Sequence, residues 1–196
     1  MEHTKTKGCL DSLTLKLLAM ALMLCDHLWA TVLPGVMWLT AVGRIAFPLF
    51  AFELVQGYMH THDLRRYARR LLVLAVISEI PFDMVAGGTF FYIWHQNVAW
   101  TLLAGLGTCY CADHLTEKDV TASKRALYAL GLAAAVALPY LLMTDYDRDG
   151  VLLILLFWFT RKGGAVNGLI QVAAMIVMWQ FLFTGRAIMI GTFEFQ

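Results

Sequence analysis

The chain has 196 residues, of which 60% are hydrophobic and only 15% charged, and its formal net charge is +1. A soluble domain has about 25% charged residues, so the composition excludes an ordinary soluble protein. The apolar residues form long continuous blocks, which is typical of membrane helices rather than of barrel strands. Nothing resembles a basic, aromatic-rich nucleic-acid surface. We therefore predict an all-α polytopic transmembrane bundle that forms a single integral-membrane domain over residues 1–196.

The first apolar block, Leu13 to Leu33, is long enough to cross a bilayer as a helix. It contains Lys16, Asp26 and His27, and ionisable groups in a membrane helix usually face protein or a water-filled cavity. Lys16 and His27 are eleven positions apart, which places them on one helical face about 16 Å apart along the axis. Asp26 lies about 100° round from His27, so we expect it to meet a neighbouring helix.

Further apolar blocks predict about seven spans in all. A polar, basic loop (residues 60–70) and an aromatic-rich connector (residues 87–97) separate the middle spans, and Pro81 should kink the third. Gly131 and Ala135 have the small-xxx-small spacing that favours close helix packing. The six later spans are predicted at 37–59, 71–85, 98–112, 126–143, 151–160 and 166–184.

The distribution of positive charge predicts a cytoplasmic N-terminus, because cytoplasmic loops are enriched in Lys and Arg. With that orientation the outer segments carry only Arg148 and Arg186. The cytoplasmic segments carry eleven cations: Lys5, Lys7, Arg65, Arg66, Arg69, Arg70, Lys118, Lys124, Arg125, Arg161 and Lys162.

Several intramembrane polar residues are predicted at one depth. His27 lies seven residues before Pro34, and Arg44 lies nine residues after Gly35. A helical hairpin would place both, with Asp26, roughly 10 Å below the outer surface. The third and fourth spans bring Asp83, Gln96 and Asn97 towards the same level, so the sequence predicts one polar cluster there.

Four motifs carry a resemblance to a known family. Lys16-x10-His27, GRIAFPLFAFELVQGY (residues 43–58), RLLVLAVISEIPFD (residues 70–83) and Gln96-Asn97 together resemble the TraX family. DYDRDGVLLI, residues 145–154, is similar to its later motif. TraX proteins are linked to N-terminal acetylation of conjugative pilin. They resemble membrane acyltransferases such as the O-antigen acetylases and heparan-α-glucosaminide N-acetyltransferase, which use cytosolic acetyl-CoA.

The resemblance implies a multi-pass acyltransferase of the bacterial cytoplasmic membrane, with acetyl-CoA as donor and an unidentified amine or hydroxyl acceptor near the outer face. His27 would be the general base, and no metal is expected. A possible homo-oligomer is left open. The expected catalytic residues are His27, Asp26, Arg44 and Asn97; the donor-binding residues are Lys16, Arg65, Arg66, Arg69 and Arg70; the substrate-side or supporting residues are Glu53, Glu79, Asp83 and Gln96.

Each of these residues also has an alternative interpretation in which its role is structural rather than catalytic. His27 would then be a packing residue, Lys16 would extend its ammonium to the inner interface, and Asp26 and Arg44 would form a structural ion pair. The arginines at 65–70 would only set orientation. A non-enzymatic transporter or membrane scaffold with an intramembrane ion-pair network is therefore the alternative function.

Overall fold

The computed structural model describes the backbone of residues 11–190, and the side chains of that range except 179 and 181–190. This part of the chain contains α-helices and no β-strand, which confirms the all-α prediction. The eight helices are α1 (Ser12–Thr31), α2 (Met37–Gly43), α3 (Ala46–His60), α4 (Leu64–Ala86), α5 (Val98–Thr116), α6 (Ala122–Leu141), α7 (Asp147–Phe159) and α8 (Ala165–Ile190).

The predicted second span is interrupted. Instead of one helix over 37–59, α2 ends at Gly43 and α3 begins at Ala46. Pro48 explains the break, because a proline has no backbone N–H and its ring clashes with the carbonyl four residues earlier, here that of Arg44. Proline is tolerated in the first turn of a helix, which is where α3 carries it.

The predicted basic loop over residues 60–70 is wrong from residue 64 onwards. Helix α4 begins at Leu64, and Asp63 caps it by accepting a hydrogen bond from the backbone N–H of Arg66 at 2.9 Å. Leu64, Tyr67 and Leu71 recur at helical spacing and are less exposed than the arginines between them. This amphipathic pattern extends the helix two turns beyond the apolar block.

The later helices keep the predicted order with shifted ends. Helix α5 begins at Val98, as predicted, while α6 begins four residues before the predicted start at 126. Helix α7 begins at Asp147, four residues before the predicted start of the sixth span at 151. Pro81 lies within α4, which continues to Ala86.

The chain divides into two compact units, Met1–Glu53 and Leu54–Gln196. In the first unit α1 packs on α2, and a Cβ added at Gly43 would lie 2.5 Å from Cβ of Asp26 and 2.7 Å from its backbone nitrogen. Only glycine permits this approach. The single membrane domain expected from the sequence stays a prediction.

The second unit packs α5 against α4, α6 and α7. Its core includes the fully buried side chains of Thr101, Ile154 and Trp158. A Cβ added at Gly131 of α6 would lie 3.0 Å from Sγ of Cys111 on α5, which confirms the close packing predicted from small residues in α6.

Two stretches of the described chain are long and apolar enough to cross a membrane, Ser12–Thr31 and Met37–His60. Ala165–Met178 is a shorter apolar helical stretch. The seven-span topology stays a prediction.

Candidate functional site

Helix α1 holds Lys16, Asp26 and His27 in one unbroken helix. Asp11 fixes its start by accepting a hydrogen bond from the backbone N–H of Thr14 at 2.9 Å. Hydrogen bonding by Thr14 lowers the pKa of the Asp11 carboxyl. Lys16 and His27 are both exposed, whereas Asp26 is half-buried, so the helix presents the two basic groups separately from the acid, as the spacing predicts.

Asp26 meets a neighbouring helix, which confirms its predicted orientation. Its Oδ1 accepts a hydrogen bond from the Thr40 hydroxyl of α2 at 2.7 Å, and Nε of Arg44 donates to the same hydroxyl oxygen at 3.3 Å. Thr40 is buried. The recorded contacts thus join Arg44 to Asp26 through a hydroxyl rather than directly. We call Asp26, Thr40 and Arg44, together with His27, the residue after Asp26 in α1, the α1–α2 polar group.

Lys16 has an acidic partner at the other end of α1. Its Nζ lies 3.6 Å from Oε2 of Glu53, which also accepts a 2.7 Å hydrogen bond from the hydroxyl of Ser12. Glu53 is 8% exposed, whereas the Lys16 side chain is 55% exposed. The lysine therefore neutralises a buried carboxylate and still presents an ammonium at the surface.

Glu79 and Asn97, both predicted from the sequence, come together between α4 and α5. Asn97 caps α5, with Oδ1 accepting from the N–H of Ala99 at 2.9 Å. Its Nδ2 donates to the carbonyl oxygen of Ala75 at 2.8 Å and also to Glu79. Nε1 of Trp100 donates to Oε2 of the same carboxylate at 2.6 Å. We call Glu79, Asn97 and Trp100 the α4–α5 polar group.

Asp83 lies one turn after Glu79 and is 3% exposed. Its Oδ2 accepts a hydrogen bond from the backbone N–H of Tyr92 at 3.0 Å, while Oδ1 has no hydrogen-bond partner among the described residues. The carboxylate thereby fixes the connector between α4 and α5 to the end of α4.

The same connector is tied to the segment before α7. The backbone N–H of Gln96 donates to the carbonyl of Met143 at 3.1 Å, and that of Asp145 donates to the carbonyl of Gln96 at 2.8 Å. Nε2 of His95 lies 4.0 Å from Oδ1 of Asp145. The backbone of Gln96, rather than its side chain, therefore holds the connector to the segment before α7. The sequence predicted a role for the side chain.

Sequence reasoning missed a third polar cluster, which joins α3, α5 and the end of α7. The Tyr58 hydroxyl donates to Oδ2 of Asp113 at 3.1 Å, and Nη2 of Arg161 lies 3.7 Å from Oδ1 of the same carboxylate. The Arg161 guanidinium also stacks 3.7 Å from the ring centroid of Trp158. Two features of the sequence could have indicated this cluster. Asp113 lies near the end of one apolar block, and Arg161 lies near the end of another.

Four arginines are predicted to bind the donor, and all of them lie exposed in the first two turns of α4: Arg65, Arg66, Arg69 and Arg70.

His27 belongs to the first compact unit, and Asp83 and Asn97 belong to the second. The single cluster expected across them stays a prediction.

Comparison with known proteins identifies the family. The model of the TraX protein family matches residues 12–192. A relative described as "Probable fimbrial assembly protein FimC, serogroup H1", from Dichelobacter nodosus, is 33% identical over 132 residues. The match covers 61% of this chain and 53% of the relative, so the chain spans about half the length of that protein. No solved structure matches the chain. The family match confirms the resemblance drawn from the motifs, and the chain belongs to the TraX protein family.

Proposed function

We propose that this protein is an integral-membrane acyltransferase of the bacterial cytoplasmic membrane. It moves an acetyl group from cytosolic acetyl-CoA to an amine or hydroxyl acceptor near the outer face. The observation that carries the proposal is α1, one apolar helix that presents an ammonium and an imidazole on the same exposed face. The position of Lys16 and His27 on one face of α1 supports a binding path along this helix. The long donor would lie with its charged end at Lys16 and its thioester at His27.

The proposed reaction needs a base and a group that stabilises negative charge. His27, as neutral imidazole, accepts the proton of the acceptor amine or hydroxyl. The new carbon–nitrogen or carbon–oxygen bond forms as the carbon–sulfur bond of the thioester breaks, and the CoA thiolate leaves and takes up a proton. Arg44 stabilises the oxyanion, because a guanidinium provides several fixed donors.

Asn97, also expected to be catalytic, is the second candidate for stabilising the oxyanion, because a side-chain amide is a hydrogen-bond donor. Its Nδ2 already donates to the Ala75 carbonyl oxygen and to Glu79, and an amide nitrogen has two hydrogens to donate. Both are therefore used within the protein. We assign Asn97 to supporting the start of α5 and leave charge stabilisation to Arg44, which Asp26 positions through Thr40.

Donor binding can be tested apart from chemistry. The anionic end of acetyl-CoA should contact Lys16, so acetyl-CoA should raise the thermal unfolding midpoint of the purified protein. Lys16→Ala should weaken that stabilisation, whereas Lys118→Ala, which removes another exposed lysine, should not. If millimolar acetyl-CoA leaves the wild-type midpoint unchanged, the acyltransferase proposal fails.

The acceptor class follows from the proposed position of His27. The fimbrial-assembly description of the relative supports a pilin-like peptide as acceptor, and a glycan or small molecule presents the same nucleophiles. An acceptor outside the cytoplasm requires the seven-span topology with a cytoplasmic N-terminus, for which the charge asymmetry is the support.

That topology has a direct test in intact cells, in a background with the native cysteines replaced by alanine. Phe91→Cys, at a side chain of the 87–97 connector that is 85% exposed, should react with a membrane-impermeant thiol reagent, whereas His62→Cys should react only after the cells are opened. Labelling of position 62 alone in intact cells would invert the orientation and contradict an outward-facing acceptor site.

One observation favours the alternative of a transporter or non-enzymatic scaffold. Glu53 already pairs with Lys16 at 3.6 Å, and such a pair is also typical of a structural network within a membrane protein. Acetyl-CoA binding separates the two proposals, because a scaffold has no reason to recognise a thioester.

A further inference from the structure

The helical placement of Arg65, Arg66, Arg69 and Arg70 changes the interpretation of these residues. Positions 65 and 69, like 66 and 70, are four residues apart. At about 100° per residue, all four lie within an arc of about 140° on one side of α4. All four are exposed, whereas Leu71 at the opposite side of the helix is buried. We call these four residues the arginine face.

The arginine face is electrostatically unfavourable by itself. The four cations lie in the first turns of α4, where the helix dipole is positive, and that first turn contains no acidic residue. Like charges four residues apart also repel each other. The ion pairs recorded in the described part of the chain include none of the four arginines. Such an arrangement is stabilised by an external anion.

The continuation of the arginine face along α4 indicates what that anion is. Followed toward the C-terminus, the same 140° arc contains five apolar side chains that are each between 51% and 66% exposed: Val73, Val76, Ile77, Ile80 and Met84. Glu79 lies off this arc and contacts the start of α5. Asp83, about five turns after Arg65, lies at the edge of the arc, but it is 3% exposed and its carboxylate is bound to the α4–α5 connector. One side of α4 therefore changes from guanidinium groups to hydrocarbon within about one turn.

We propose that the arginine face binds the phosphate groups of anionic phospholipids in the inner leaflet, while the apolar side chains that follow it contact the acyl chains. The proposal rests on the orientation of α4 in the proposed topology. Arginine binds phosphate oxygens in a bidentate manner, and basic residues beside a membrane helix attract anionic headgroups. The phosphates of acetyl-CoA, expected here from the sequence, are the competing ligand. They are disfavoured because the arc leads to lipid rather than towards a thioester site inside the protein.

The test compares two double variants, Arg65→Gln/Arg69→Gln in the arginine face and Lys124→Gln/Arg125→Gln in the exposed first turns of α6. Each protein is incorporated into bilayers of phosphatidylcholine with and without phosphatidylglycerol. Lipid retained after detergent extraction is measured by native mass spectrometry. The wild type and the α6 variant should retain phosphatidylglycerol in preference to phosphatidylcholine, and the arginine-face variant should lose most of that preference, by about fivefold or more.

Acetyl-CoA titration of the same proteins distinguishes the two phosphate sources. The arginine-face variant should bind acetyl-CoA as the wild type does, and this result is independent of whether acyl transfer occurs. Loss of acetyl-CoA binding with lipid preference intact would overturn the proposal. So would an equal loss of lipid preference in both double variants, or the absence of any preference in the wild type.

Discussion

The two polar groups that contain most of the site residues predicted from the sequence are built in opposite ways. In the α4–α5 polar group, Glu79 accepts hydrogen bonds from both Asn97 and Trp100, and Asn97 is 3% exposed. In the α1–α2 polar group, a single hydroxyl, that of Thr40, connects Asp26 with Arg44. His27, the residue after Asp26 in α1, is exposed.

This difference indicates that one polar group stabilises the structure and that the other is available for catalysis. A buried polar group whose donors and acceptors are all used within the protein makes the structure rigid, and breaking it is costly. A group with an exposed imidazole and a guanidinium that has donors to spare can bind and activate a substrate. We therefore expect substitutions in the α1–α2 polar group to alter transfer, and those in the α4–α5 polar group to alter stability.

The largest effect is expected at His27. His27→Gln keeps a hydrogen-bonding side chain but cannot accept a proton at neutral pH, so acyl transfer should fall on the order of 10²-fold or more, about 3 kcal/mol in activation free energy. Thermal unfolding and acetyl-CoA binding should change little. His62→Gln, at an exposed position, is the matched control and should leave the transfer rate unchanged. A His27→Gln protein with normal transfer would make His27 structural.

The next largest effect is expected at Asn97. Asn97→Ala removes the α5 cap and leaves the Ala75 carbonyl without its 2.8 Å partner, so we expect a loss of about 2 kcal/mol in stability. Gln96→Ala is the control, because its amide donates to the Ile93 carbonyl in an exposed setting. Thermal unfolding of both variants tests the contrast, and equal midpoints would show that the α4–α5 polar group is not structural.

A smaller loss is expected where the first unit packs most closely. Gly43→Ala places a methyl group within 2.9 Å of three backbone or Cβ atoms of Asp26, so α1 and α2 must separate, at a cost of about 1.5 kcal/mol. Gly168→Ala in α8, where an added Cβ meets nothing within 4 Å, should be neutral or stabilising. Because the Asp26–Thr40 contact should lengthen, Gly43→Ala should also slow acyl transfer. An unchanged transfer rate would show that this contact is not needed for catalysis.

The smallest effect is expected at the start of α1 and depends on pH. Hydrogen bonds from Thr14 lower the pKa of Asp11 in the folded protein, so the ionised carboxylate stabilises the first turn. That stabilisation is present above the unfolded-state pKa and is lost as pH falls through the lowered folded-state pKa. Hydrogen exchange at the Thr14 amide should accelerate on acidification, relative to its intrinsic rate, in the wild type but not in Asp11→Ala.

The sequence predicted individual polar residues well because a polar side chain inside or next to an apolar block is conspicuous. Glu79, Asp83 and Asn97 were chosen on that ground, and the structure buries Asp83 and Asn97 and half-buries Glu79. The start of α5 at Val98 was also predicted, and the structure shows Asn97 as its cap, a role typical of asparagine. The orientation of Asp26 followed from helical geometry alone.

Other features depend on packing that the sequence does not display. The break after Gly43 requires weighing Pro48 against a run of good helix formers, and hydropathy hides it. The helical start of α4 was missed because its arginines were interpreted as a loop. The Tyr58–Asp113–Arg161 cluster joins three helices, and nothing in their sequence spacing indicates that they meet.

The most direct test of the central claim compares cell envelopes from three strains, one with the wild-type protein, one with His27→Gln and one without the protein. Acetyl transfer replaces a hydrogen with an acetyl group and adds about 42 Da to the acceptor. Mass spectrometry should find an envelope component that carries this addition only in the wild-type strain. If every component has the same mass in all three strains, or if the His27→Gln strain acetylates like the wild type, the proposed acyl transfer by His27 is contradicted.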